Sequence, residues 1–563
     1  MISAPRNGSG DEPDDAPFDG PDDAPFDGPD DAPFDGPDRA PFDGPDDAPV
    51  GGRIDGDGET GFPETSDIAW DAGNLGLPST DPEPTAPAAD PTGEIAAATA
   101  DLDDDSPADP VPNAPPLTLQ VVEGVLNRRR SEAQISPTLS RITALMDLLG
   151  NPERGYPVIQ IAGTNGKTST ARMIDALLTR IGVRTGRFTS PHLQLVTERI
   201  AIDGAPISVE RYIETYADVS PYVDLIDASS AKVGGLPLSK FEILTAMAFS
   251  AFGDAPVEAA VIEVGLGGTW DSTNVADAGV AVITPIGIDH TDYLGDTLTE
   301  IAGNKAGIIK PDSVAIVGPQ EQEAMNAILR RTIEVDASVA RYGSEFTVLD
   351  RAFAVGGQRL TIQGLGGVYE DVFLPLAGEH QAVNAATALA AAEVFFGAGS
   401  SRQLDIASVQ DGFASVAAPG RLERVRTSPT IMVDAAHNPH GATALAAALA
   451  SEFSFSRLVG VLAVMEDKDA PGILQALDDT FDEIVVTRNS SPRSMPVADL
   501  ADLAADVFGE ERVHTAARMD EAIALAVDLA ESGSQDSSGT GVVITGSVVS
   551  AGDGRALAGL APE

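Results

Sequence analysis

Residues 158–181 constrain this chain more than any other stretch. Residues 158–162 form a short, β-branched strand. That run enters Gly163-Thr164-Asn165-Gly166-Lys167-Thr168-Ser169, and 168–181 then places Met173, Ile174, Leu177 and Leu178 at helical spacing. A strand passing through a glycine turn into a helix opens a parallel α/β unit, because parallel strands need a crossover to bring the chain back. The same turn suits a phosphate. Gly163 and Gly166 let backbone N–H groups approach an anion without a Cβ in the way. The helix N-terminus adds positive potential. Lys167 can neutralise β/γ charge, and Thr168 brings a hydroxyl near Mg2+. The strict motif asks for glycine where Ile161 stands, so an ordinary strand–turn–helix with a chance Gly-Lys-Thr stays open. Lys167 is nevertheless the first lysine of the chain.

The alternation continues on both sides. Residues 119–128 and 137–149 read as amphipathic helices, 259–264 and 280–285 as strands, 382–395 and 442–453 as alanine-rich helices. A second series starts near Thr430, with strands predicted at 430–435, 458–463, 483–487 and 541–545. Pro419 and Gly420 mark the junction. The expected fold class is α/β: a phosphate-loop, parallel-sheet domain over 117–418 and a smaller Rossmann-like domain over 419–563, as 563 residues exceed one core. A cleft between two such domains suits multi-substrate chemistry.

Residues 1–116 differ. Positions 14–45 hold four copies of an octapeptide of the form Asp-Asp-Ala-Pro-Phe-Asp-Gly-Pro, with Arg39 replacing one Asp. One Phe per eight residues cannot build a core. The region carries 30 acidic residues against 3 arginines, about half of the chain's net charge of −52. It reads as a disordered tail. Either it solvates the protein, or Phe18, Phe26, Phe34 and Phe42 bind a partner.

The acidity argues against nucleic-acid binding. With no cysteine there is neither disulfide nor thiolate site. No apolar run is long enough to span a membrane and no signal peptide is visible, so the expected location is the cytoplasm.

Histidine and lysine are rare, six of each, so their positions inform. His290 ends Ile-Gly-Ile-Asp-His, Lys305 lies in Asn-Lys-Ala-Gly-Ile, and His437 lies in Asp-Ala-Ala-His-Asn-Pro. Glu263 closes a strand before Gly265, Gly267 and Gly268, where a carboxylate can hold Mg2+. Asp271 and Asn274 serve either a ligand or the turn itself.

These segments together resemble the folylpolyglutamate synthase/dihydrofolate synthase family within the Mur ligases. The match runs over about 117–563: G-T-N-G-K-T-S at 163–169, T-S-P-H-L at 189–193, E-V-G-L-G-G-T-W-D-S-T-N at 263–274, I-G-I-D-H at 286–290, N-K-A-G-I-I-K at 304–310, H-Q-A-V-N-A at 380–385, P-G-R at 419–421 and D-A-A-H-N-P at 434–439. The resemblance implies an ATP-dependent ligase joining L-glutamate to dihydropteroate or folate through an acyl phosphate. It implies that Lys167, Lys305 and His290 are catalytic, that Ser190, Glu263 and His290 hold Mg2+, and that a carbamylated Lys305 helps a second ion. Asn384, Arg421, Asp434 and His437 would join residues 163–169 around ATP. Glu132, Ile135, Arg141, Thr189, Pro191, His192, Phe241 and Glu242 would border the pterin. Arg493 and Ser547 are weaker candidates for glutamate. The expected partners are small molecules, with no nucleic acid and no membrane, and the expected state is a monomer. The chain departs from the family at Asn304, Ala435 and Thr168, where many members have Glu, Gly and Gly. Rival readings are a ligase of cell-wall nucleotide peptides, a nucleotide-binding regulator without catalysis, and a scaffold defined by the acidic repeats.

Overall fold

The computed structural model describes residues 117–130, 136–397, 402–532 and 539–563. The acidic tail, Glu132 and Ile135 lie outside the described residues. The described residues belong to one compact unit.

The first body is built on an eight-stranded sheet: β1 (Val158–Ala162), β2 (Thr185–Phe188), β3 (Ile200–Ile202), β4 (Ala205–Pro206), β5 (Ala259–Glu263), β6 (Val280–Ile283), β7 (Val314–Val317) and β8 (Ser338–Arg341). Their spatial order is β4-β3-β2-β5-β1-β6-β7-β8. The pairs of β2 with β5 and from β5 through β8 are parallel, while β3 and β4 run antiparallel. Every residue of β1 and β5 is buried. That explains their mainly apolar sequences, since both faces of the sheet are covered; the one polar residue inside β1, Gln160, is buried and donates to the Thr273 hydroxyl at 3.0 Å. Leu126, Ile142, Val219 and Phe249 pack one face. On the other lie α1 (Lys167–Ile181), whose Met173, Ile174, Leu177 and Leu178 all turn inward, and α3 (Glu379–Phe395). Between them in sequence, α2 (Leu298–Lys305) flanks β6 and β7.

A three-stranded antiparallel sheet was not foreseen: β9 (Thr347–Ala354), β10 (Gly357–Gln363) and β11 (Val368–Leu374). Leu360, Ile362, Tyr369 and Val372 attach it to the first body's core.

The second body has six strands: β12 (Glu423–Thr427), β13 (Thr430–Val433), β14 (Arg457–Leu462), β15 (Glu483–Val486), β16 (Val513–Thr515) and β17 (Thr540–Thr545). They lie in the order β12-β13-β17-β14-β15-β16, and only β12 is antiparallel. Two of its helices matter below, α4 (Pro439–Glu452) and α5 (Val548–Leu557). α4 touches the first body at its far end, where Glu452 accepts the Gly378 N–H at 2.6 Å and pairs with Arg351. The expected α/β class and most expected strands are present. Some end early: the run 280–285 is strand only to Ile283, because Pro285 turns aside and its carbonyl accepts the Thr164 N–H at 3.0 Å.

Among the described residues no helix is long and apolar enough to cross a membrane.

Candidate active site

The order of strands reverses about β1, with β5 on one flank and β6 on the other. Open α/β sheets take ligands at such a point, beyond the C-terminal strand ends. Residues 163–166 fill it. Gly166 has φ +85°, and a Cβ there would lie 2.7 Å from Asn384 Oδ1, so backbone conformation and space both require glycine. The Thr164 hydroxyl donates to the Gly287 carbonyl at 3.0 Å, tying the loop to the segment after β6. α1 begins at Lys167, whose Nζ donates to the carbonyls of Gly163 (3.2 Å) and Thr164 (3.0 Å). Burial pushes this amine down, against the pull of Glu263.

Glu263 ends β5 and is 1% exposed. The Thr168 hydroxyl lies 3.0 Å from both its oxygens, and the Ser190 N–H donates at 3.4 Å. Burial pushes the carboxyl up, and the Lys167 charge opposes this. A buried carboxylate between two hydroxyl residues, Thr168 and Ser190, is a hard-oxygen set that fits Mg2+, an ion that keeps several waters. Among the described residues no three His, Asp or Glu side chains gather into a ready-made metal cage. His290 lines the same cleft and has φ +55°, a left-handed backbone rare outside glycine. Desolvation by the surrounding cleft walls, helped by the Lys468 charge, brings its partly exposed imidazole down to about 4, so it is neutral near pH 7.

Lys305 closes α2 and is 4% exposed. Its Nζ donates to the Gly163 carbonyl at 2.8 Å. Burial, then the Lys167 charge, brings its amine down to about 7. A substantial neutral fraction at physiological pH is what addition to CO2 requires. Asp271 and Asn274 serve the glycine turn. Asp271 accepts from Leu266 N (2.8 Å) and Thr273 N (3.0 Å), and Asn274 Nδ2 donates to the carbonyls of Thr269 (3.1 Å) and Gly307 (3.3 Å).

The cleft has a volume of about 590 Å³ and runs from the phosphate loop past Phe241, Trp270 and Tyr293 to Lys468, Arg493 and Ser547. Arg421 and His437 line it. His437 keeps its Nδ1 2.9 Å from the Ala435 carbonyl, and burial brings its imidazole down to about 4. Asn384 packs behind the loop and Ser169 lies beside it, 3.4 Å from Gln381. Asp434 is turned to the linker: its oxygens accept from Leu422 N and Ala436 N, both at 2.8 Å. On the opposite wall Arg141 makes two bonds to Glu242, at 3.0 and 3.3 Å, and Glu242 also accepts the Ser239 N–H at 2.8 Å. Thr189, Pro191 and His192 line an adjoining hollow. His192 accepts from Arg199 Nε at 3.0 Å, and burial with the Arg199 charge brings its imidazole down to about 3.

A polar bridge across the cleft escaped the sequence. Asp289 accepts from Lys468 Nζ at 2.8 Å and from Asn438 Nδ2 at 3.0 Å, both from the second body. Asn438 also pairs with Asn165 of the loop, at 3.2 and 3.3 Å, and His440 Nδ1 lies 2.8 Å from Asn165 Nδ2. Lys468 stood out only as one of six lysines, and Asp289 and Asn438 only as members of their motifs.

Comparison with known proteins agrees with this architecture. Residues 239–392 match the Mur ligase middle domain, and 420–548 match the Mur ligase glutamate ligase domain. The dihydrofolate synthase/folylpolyglutamate synthase of Mycobacterium tuberculosis is 56% identical over 470 residues, covering 81% of this chain and 96% of the relative. That of Bacillus subtilis is 34% identical over 369 residues, covering 65% of this chain and 85% of the relative. The solved M. tuberculosis folylpolyglutamate synthase complexed with ADP superposes with a TM-score of 0.76, covering 79% of this chain and 99% of that one. E. coli FolC in complex with DHPP and ADP gives 0.67 at 28% identity, covering 78% and 97%. This chain belongs to the dihydrofolate synthase/folylpolyglutamate synthase family of Mur ligases.

Proposed function

We propose that this chain uses ATP to join L-glutamate to dihydropteroate and to folates. The observation that carries the reading is the convergence, on one two-body cleft, of a phosphate loop, a buried Glu263 that accepts the Thr168 hydroxyl, and residues of the glutamate ligase domain. The loop N–H groups and Lys167 hold the terminal phosphates of ATP in line with the acceptor carboxylate. That carboxylate attacks the γ-phosphorus, ADP leaves, and an acyl phosphate forms. The glutamate amine then displaces phosphate and leaves an amide. The walls formed by Phe241, Trp270 and the Arg141–Glu242 pair take the pterin end of the acceptor. Closure around Lys468 and His437 keeps water from the acyl phosphate. Glu263, Ser190 and His290 would hold Mg2+, which would spread the charge developing on the phosphoryl oxygens when bound. A monomer in the cytoplasm completes the proposal.

The deciding experiment is ADP release across four conditions, each with glutamate: dihydropteroate, tetrahydrofolate, a cell-wall nucleotide peptide and no acceptor. Release only with a pteroyl acceptor is expected. Release with a cell-wall nucleotide peptide instead, or none at all, overturns the reading.

We further propose that Lys305 carries a carbamate, supported by its burial and its amine brought to about 7. In 13C-bicarbonate the active enzyme should show a carbamate carbon resonance that Lys305→Ala lacks. A free amine in active enzyme refutes it.

A further inference from the structure

The loop after β2 is gripped from the second body. Buried Glu198 collects the N–H groups of Leu193 (2.8 Å), Gln194 (2.9 Å) and Leu195 (2.7 Å), which fixes the turn. Leu193 is wedged between the linker and α5. A Cβ on Gly420 would meet its side chain at 3.0 Å, and one on Gly552 would overlap its carbonyl oxygen. Gln194 donates Nε2 to the Leu560 carbonyl at 3.0 Å and accepts from Arg555 Nε at 3.1 Å. Arg555, on α5, is 1% exposed. Its remaining N–H groups reach Glu423, the first residue of β12, and the Ala561 carbonyl at 2.8 Å. One guanidinium thus joins a first-body loop, the strand leaving the linker, and the segment after α5.

Only a few residues separate this clasp from Ser190, which meets Glu263, and from Pro191, which lines the cleft. Neither Gln194 nor Arg555 lines that cleft. A turn pinned by three N–H bonds passes a displacement along its backbone instead of absorbing it. We propose that Gln194 and Arg555 are positioning residues that carry the setting of the hinge into the loop presenting Ser190 and Pro191. Swinging the second body about the linker moves Arg555, and through Gln194 moves the metal and acceptor side of the site. The nucleotide side, on β1 and α1, is left alone. The proposal rests on the metal and acceptor roles proposed above.

The test uses the full chain carrying Gln194→Ala. The chain has no cysteine. Ile333→Cys, at a position 80% exposed, and Asp506→Cys, also exposed, therefore accept one spin label on each body without background. Gln194→Ala should raise KM for dihydropteroate and the Mg2+ half-saturation at least fivefold. ADP affinity by calorimetry should stay within twofold, and the interspin distance distribution should broaden. Gln194→Glu keeps an acceptor for Arg555 but loses the donor to the Leu560 carbonyl, and should lie closer to wild type than Gln194→Ala in both acceptor KM and distance distribution. An unchanged acceptor KM and distance distribution in Gln194→Ala overturns the proposal, as does a parallel loss of ADP affinity. Should the wild-type chain release no ADP with any acceptor, the ligase reading fails on its own, and the spin-label comparison still decides the clasp.

Discussion

Lys167→Ala lowers kcat/KM for ADP release with dihydropteroate and glutamate by about 10³-fold, the scale of removing one preorganised charge donor. The Lys167 amine is held by the Gly163 and Thr164 carbonyls at the mouth of the loop, so it waits where phosphate charge develops instead of being recruited there. A donor already in place costs no reorganisation during the reaction. The fold should survive, because α1 keeps its inward face of Met173, Ile174, Leu177 and Leu178. Circular dichroism checks the fold and coupled ADP release checks the rate. Activity within tenfold of wild type overturns the assignment of the loop.

Lys468→Ala lowers kcat/KM by about 10²- to 10³-fold, since stripping one partner from a buried ion pair costs about 3–5 kcal/mol. The cost falls on the closed arrangement, where Asp289 would keep the Asn438 amide and the His290 N–H but lose its ammonium partner. ADP affinity should change little, because the phosphate loop lies in the first body. Adding Asp289→Asn should recover part of the loss by removing the orphaned charge, a coupling that a double-mutant cycle reads. The pH dependence follows. Burial works to raise the Asp289 carboxyl, but Lys468 prevails and holds it well below its ordinary range. A depressed carboxyl contributes its stability above its unfolded value, near pH 4, and loses it only as pH falls further. The deficit of Lys468→Ala should therefore be flat from pH 6 to pH 9. A deficit that vanishes at pH 6 would tie the loss to another group.

The alternation of strand and helix was legible because buried parallel strands read as short, mainly apolar β-branched runs and their helices as 3.6-residue patterns. β9–β11 was not, although β10 has period-two burial, because its hydrophobic residues also fit the mixed patterns of neighbouring loops. The phosphate loop, Glu263 and Lys305 were legible because glycine, a strand-end acid and a rare lysine each leave a local mark. Asp289 and Lys468 lie 179 residues apart and leave no such mark. Pairing across a cleft is a property of two bodies, and spacing within either one does not encode it. Asp434 shows the converse limit: the motif points to a ligand, while the structure turns the side chain to the linker.

α4 has a mechanical consequence. A helix of 14 residues is about 21 Å long at 1.5 Å per residue, and this one is fastened to the first body at both ends. Asn438 and His440 hold the phosphate loop and Glu452 holds Gly378 and Arg351. A beam pinned at two points cannot tilt until one pin is drawn. The pin at the near end is the Asn165 side chain, so parting the two bodies first breaks its contacts with Asn438 and His440. The cleft therefore opens by drawing side-chain pins at the two ends of one helix, while the backbone of the phosphate loop stays on β1 and α1.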